Sequence, residues 1–123
     1  MALDYFGNKK ELACKCCGLV NVDDRFYKLL NEARDNSSVP FIINSGCRCE
    51  SNNKKAGGKQ ESSHLTTNDR PCTAVDIKTP DSRSRYEVLK SLMSVGFCRI
   101  GIADTFIHVD LDMTKPQAVV WVY

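Results

Sequence analysis

Phe97-Cys98-Arg99-Ile100-Gly101-Ile102-Ala103-Asp104-Thr105-Phe106-Ile107-His108-Val109-Asp110-Leu111 is the stretch on which the fold turns. It reads as two strands, 97–102 and 106–111, because both halves are apolar and the link at 103–105 is hairpin-short. Residues i and i+2 of a strand share a face. Ile107, Val109 and Leu111 therefore point into a core, and Phe106, His108 and Asp110 point the other way. A third strand, 118–123, follows a turn marked by Lys115-Pro116-Gln117.

Upstream, Thr73 to Lys78 is a strand with Val75 and Ile77 on one side and Ala74 and Asp76 on the other. Pro40 to Asn44 is a short strand closed by Ser45-Gly46. Asp23 caps a helix that runs to about Asp35, with Phe26, Leu29, Leu30 and Ala33 on its buried face. Ser82 or Ser84 caps a second helix that runs to Val95 and ends at Gly96. Its apolar positions Tyr86, Val88, Leu89, Leu92, Met93 and Val95 cover a broad face. Residues 48–56 make a short polar helix ended by Gly57-Gly58, and Lys59 to Thr73 is loop by composition. Residues 1–22 look irregular, with a turn at Cys17-Gly18. Helices and strands do not alternate strictly. The expected class is α+β, a small mainly antiparallel sheet with two main helices, in one domain spanning 1–123.

A formal net charge of +2 is too small to argue for a nucleic-acid partner, and the basic residues are dispersed apart from Lys9-Lys10 and Lys54-Lys55. No apolar run reaches the roughly 18 residues that span a bilayer, so membrane insertion is not expected. The start, Met1 to Lys10, lacks the apolar stretch of a signal peptide, which implies synthesis in the cytoplasm. The 7 cysteines cannot all pair within one molecule. Cys98 reads as a small buried hydrophobe. Cys14/Cys16 and Cys47/Cys49 form two Cys-x-Cys pairs. These are free thiols, disulfides formed after release, or ligands of a second, structural zinc; their spacing is tighter than that of ordinary zinc sites.

Only 2 histidines occur, His64 and His108. Asp76 is an isolated carboxylate in the apolar strand Ala74-Val75-Asp76-Ile77, a costly position unless it is paired or bound to a metal. Two imidazoles and a carboxylate hold a zinc ion and leave one position open for water, the ligand set of a hydrolytic site rather than a closed structural one. Taken singly, each of these residues is equally at home as a surface group, a cap or an ion-pair partner.

The order Ser62-x-His64, Ala74-x-Asp76, His108-x-Asp110 resembles the zinc peptidases of family M15. These are the D-Ala-D-Ala carboxypeptidases and related peptidoglycan endopeptidases, whose wider group includes the hedgehog signalling domain. The resemblance extends over Glu11-Leu12-Ala13-Cys14-Lys15-Cys16, Asn44-Ser45-Gly46-Cys47-Arg48-Cys49, Asn53-Lys54-Lys55-Ala56-Gly57-Gly58, Arg99-Ile100-Gly101-Ile102 and Trp121-Val122-Tyr123. It departs in one place. The family motif is Ser-x-His-x-x-Gly-x-Ala-x-Asp, whereas here His64 and Asp76 are 12 residues apart with no glycine between them. Thr67 to Cys72 reads as a loop insertion of about five residues, which adds little closure cost and puts Asp69, Arg70 and Cys72 near the cleft rim.

The resemblance implies that His64, Asp76 and His108 ligate Zn2+. It also implies that Arg48 holds a substrate carboxylate or polarises the scissile carbonyl, and that Ser62 supports the first ligand. Some relatives carry an acid three residues before the last histidine, where Thr105 stands here. Asp110 is then the first candidate for general base and Asp104 the second, with Asp110 alternatively orienting a ligand. The expected function is hydrolysis of an amide bond in peptidoglycan stem peptides by a monomeric zinc metallopeptidase, carboxypeptidase or endopeptidase, of the endolysin kind that reaches the cell wall after release. The alternatives are a non-catalytic zinc-stabilised binding module of the same fold and a structural zinc protein anchored by Cys14, Cys16, Cys47 and Cys49.

Overall fold

A computed structural model describes residues 2–57 and 62–123. The expected C-cap Gly58 and the first part of the 59–73 loop lie outside the described residues. The chain is α+β. Helix α1 (Asp24–Asp35), strand β1 (Ile43–Ser45), helix α2 (Glu50–Lys55), β2 (Ala74–Lys78), α3 (Ser82–Ser94), β3 (Arg99–Ile102), β4 (Phe106–Asp110) and β5 (Val119–Val122) follow in order. A one-turn 3-10 helix, Lys10–Leu12, precedes them.

The strands form one sheet in the order β1-β2-β4-β3-β5. The β3–β4 hairpin is as expected, and β1, β2 and β4 also pair antiparallel. β5 differs from a simple meander. It pairs with β3 in parallel, which makes β5 rather than β3 the edge. The chain after β4 reaches that edge through 111–118, where the Gln117 side-chain amide donates to the carbonyls of Asp112 and Lys115 and Ala118 adopts a φ of 57°.

Alternation sorts the side chains. Val75 and Ile77 of β2, Ile100 of β3 and Ile107 and Val109 of β4 are fully buried in one apolar cluster with Phe26 and Leu30 of α1 and Val88 and Leu92 of α3. Phe26 meets Phe97 edge-on, with ring centroids 5.8 Å apart. Asp23 caps α1 by accepting from the Phe26 N–H. α3 is capped by Asp81 rather than Ser82 or Ser84. Its carboxylate accepts from Ser84 N, and Ser84 closes a reciprocal capping box. The buried face of α3 is narrower than expected, since Tyr86 and Met93 are exposed. Cys98 is exposed rather than buried. No helix among the described residues is long and apolar enough to cross a membrane.

Candidate metal centre

The polar face of the sheet builds the site in a single row. Register places Ser45 of β1 beside Asp76 of β2, Asp76 beside His108 of β4, His108 beside Gly101 of β3, and Gly101 beside Trp121 of β5. Gly101 is what allows the last step. A Cβ there would lie 2.5 Å from Trp121 Nε1, so only glycine lets the indole lie on the sheet. Trp121 then stands 5.5 Å from the His108 ring, centroid to centroid.

His64 reaches this row from a loop that two backbone bonds tie to the end of β1. Arg48 N donates to His64 O at 2.9 Å, and Thr66 N donates to Arg48 O at 2.7 Å. Ser63, beside His64, donates to Asp112 Oδ2 at 2.7 Å, which anchors the loop to the chain just past β4. Burial pushes the Asp112 carboxyl up, but bonds from Thr114 and Ser63 outweigh it and bring it down to about 2. Ser62 Oγ accepts from His64 N. The 67–72 segment turns away from the rim. Cys72 is fully buried in the core, Asp69 is exposed, and Arg70 bonds back to the Ser62 carbonyl. The rim positions expected for Asp69 and Cys72 are therefore corrected; Asn21 of the N-terminal region holds the segment through the carbonyls of Thr67 and Asn68.

The three expected ligands converge. His64 Nε2 lies 3.1 Å from Asp76 Oδ1 and 3.2 Å from His108 Nδ1, and His108 Nδ1 lies 3.0 Å from Asp76 Oδ1. The outer ring nitrogens decide what these atoms are. His64 Nδ1 is 2.8 Å from the carbonyl of Gly46, which only accepts, so Nδ1 carries the proton and Nε2 a lone pair. His108 Nε2 is 2.7 Å from Asp110 Oδ2, so it donates, and Nδ1 keeps its lone pair. Three electron-rich atoms thus face one another at 3.0–3.2 Å. A single proton bridges one edge of this triangle. A cation at its centre satisfies all three. Ligands of a tetrahedral ion with Zn–N bonds of 2.0–2.1 Å stand ~3.3 Å apart, so the triangle has the size of a zinc site.

Without an ion, a proton competes for the same lone pairs. Burial pushes the Asp76 carboxyl up, but bonds from His108 and His64 outweigh it and hold it below the usual carboxylate range. Burial lowers His108, but its contacts with Asp110 and Asp76 prevail and raise it.

This constellation lies within a stretch that has a known likeness. The sequence pattern of the family described as Peptidase M15 matches residues 6–110. The chain belongs to the peptidase M15 family. Peptidases of that family are zinc-dependent, and the His64, Asp76 and His108 cluster is a donor set that fits the ion. No curated protein matches the chain.

Arg48 enters the site differently from expectation. Its Nη2 donates to Asp76 Oδ2 at 3.2 Å and its Nε to Ser45 Oγ at 2.9 Å. One oxygen of Asp76 thus faces the histidines and the other is neutralised by Arg48. Asp110 sits behind His108, only 1% exposed, with Oδ2 on the His108 ring and Oδ1 accepting from Arg99 Nε at 2.7 Å and Asp112 N at 3.0 Å. The base role expected for Asp110 does not fit this geometry, because the imidazole stands between its carboxylate and the triangle. Asp104 is exposed on the β3–β4 turn, where its carbonyl accepts from Arg85 of α3, and it does not line the cleft. The structure adds residues that the sequence did not single out. Arg99 clamps Asp110 and lies over the Trp121 ring at 5.1 Å. Phe106, Trp121 and Tyr123 form an aromatic wall along a cleft of about 820 Å³ that also exposes Arg48, His64 and His108. The facing pair Arg99/Asp110 was accessible from the hairpin register; the parallel placement of Trp121 was not.

Proposed function

We propose that this chain hydrolyses an amide bond in the stem peptides of peptidoglycan, as a carboxypeptidase or an endopeptidase. The observation that carries the reading is the triangle of His64 Nε2, Asp76 Oδ1 and His108 Nδ1 opening onto the cleft beside Arg48. Zinc held there supplies a Lewis acid that polarises a carbonyl and makes water nucleophilic near neutral pH. Around it, Gly46 and Asp110 fix the two imidazole tautomers. Arg48 keeps Nη1 free of any hydrogen bond among the described residues and can offer it to a substrate carboxylate or carbonyl. Tyr123 at the rim, raised by partial burial and by the Asp76 charge, stays protonated and can donate to a substrate carbonyl. The aromatic wall receives the peptide chain. A single domain spanning 1–123, acting as a monomer on the cell wall after release in the manner of a phage or prophage lysis enzyme, suits this substrate.

A second reading, a non-catalytic zinc-stabilised binding module, is favoured by one observation. Among the described residues lining the cleft, Asp76 and Asp110 already have their partners, so no carboxylate is spare to act as base. Digestion of purified peptidoglycan, with the fragments identified by mass, separates the two. The hydrolase reading expects new peptide termini with the zinc-loaded protein and none with His108→Ala. Zinc-loaded protein that binds the wall without releasing fragments would establish the binding module instead.

A further inference from the structure

A second cluster of ligating side chains lies outside the cleft. The sequence suggests pairing Cys14/Cys16 with Cys47/Cys49, but the fold divides these differently. Cys47 is buried and its thiol donates to the carbonyl of Asn21 at 3.8 Å. Cys14, Cys17 and Cys49 instead bring their sulfurs within 4.8 Å of one another. Cys14 and Cys17 have the Cys-x₂-Cys spacing of ordinary zinc sites, hidden in the sequence by the intervening Cys16. The spacing works because the chain doubles back between them and Leu19. Cys14 N donates to Leu19 O and Gly18 N to Cys14 O, both at 2.8 Å, and Gly18 sits at φ +77°, a conformation that glycine adopts freely. Cys49 arrives from the other side as the N-cap of α2.

The surroundings suit thiolates. Cys14 Sγ accepts from Cys49 N and from Asn52 Nδ2, each at 3.4 Å, and Cys49 Sγ accepts from Asn52 N at 3.4 Å. N–H donors of this kind are the supporting contacts that metal-bound sulfur receives. All of these cysteines are free thiols in the structure. A disulfide would take two of the three converging sulfurs and leave the third alone.

We propose that Cys14, Cys17 and Cys49 hold a second, structural zinc ion. It is independent of the histidine centre and ties the N-terminal loop to the segment that carries Arg48. Sulfur ligands at Zn–S bonds of 2.3 Å stand ~3.8 Å apart in a tetrahedron, within the observed convergence. The site lies outside the cleft and takes no part in hydrolysis. Its role is to hold Cys49, and through it the neighbouring Arg48, in place.

The test uses the full chain, prepared under reducing conditions and loaded with zinc or with cobalt. Wild type should carry about two zinc ions, and His108→Ala and Cys17→Ser about one each. Cobalt-loaded His108→Ala should keep an intense thiolate-to-cobalt charge-transfer band, which Cys17→Ser should remove. Because Cys17 is exposed, that variant should fold. Should it not, the band in His108→Ala, whose cysteines are intact, decides alone. Cobalt-loaded His108→Ala without the band overturns the proposal, as does Cys17→Ser that keeps it. The sulfur-specific readout separates this outcome from any failure of the histidine site.

Discussion

The two clusters share the segment Gly46-Cys47-Arg48-Cys49 but are assembled in opposite ways. The histidine centre is held by strand register. Asp76 and His108 are cross-strand neighbours, their outer atoms are clamped by Arg48, Asp110 and Arg99, and only His64 comes from a loop. The cysteine cluster is held by a turn and a helix cap, with Cys16 and Cys17 exposed. Gly46 joins them. Its carbonyl fixes His64, and a Cβ on it would press to 2.8 Å from Leu12 O. The contrast teaches that ligating atoms are gathered by strand register in one cluster and by a turn and a helix cap in the other.

Substitutions in the row should break the centre without touching the cysteines. The largest effect is expected for Asp76→Ala, which removes a ligand and leaves the half-buried Arg48 without its ion-pair partner. Zinc at the histidine centre should be lost and stability should fall by ~3–5 kcal/mol in urea titration, with the cysteine-bound metal retained. Arg48→Ala comes next. It should keep zinc and fold while kcat/KM drops ~10²–10³-fold; an unchanged kcat/KM would remove Arg48 from the site.

Much of this row was legible in the sequence, for a physical reason. Strand alternation sets the faces of β2 and β4, so Asp76, His108 and Asp110 were placed on the polar face from period alone. Asp23 announced α1 because an N-cap is a local signal. What failed was non-local or a matter of one residue. Asp81 outcompeted Ser82 and Ser84 as cap because its carboxylate both accepts from Ser84 N and pairs with a serine three residues on. Pro116 suggested a plain turn, but 111–118 carries β5 past the hairpin to lie parallel to β3, which no local pattern reports. Asp110 shares a face with His108, as expected, yet the facing Arg99 and the ring Nε2 draw its carboxylate behind the imidazole.

Finer substitutions sharpen the same contrast. Asp110→Asn should weaken zinc binding ~10–100-fold by loosening His108, a loss measured by chelator competition. Asp104→Asn should leave both affinity and turnover unchanged. Turnover abolished by Asp104→Asn alone would return the base to the hairpin turn. Gly101→Ala should push Trp121 off the sheet, cost ~1–3 kcal/mol by overpacking and alter tryptophan fluorescence, with zinc still bound. Asp112→Asn should be the mildest of the substitutions that have an effect. It weakens the Ser63 anchor and should cost about 1 kcal/mol in thermal unfolding, since the backbone bonds between Arg48 and the His64 loop remain.

The most direct test is anomalous diffraction at the zinc edge from crystals of the zinc-loaded protein. A peak should stand at about 2.0–2.2 Å from each of His64 Nε2, Asp76 Oδ1 and His108 Nδ1, through those nitrogens and no others. Zinc found only among the cysteines, or bound to His108 through Nε2 with Asp110 displaced, would contradict the centre described here.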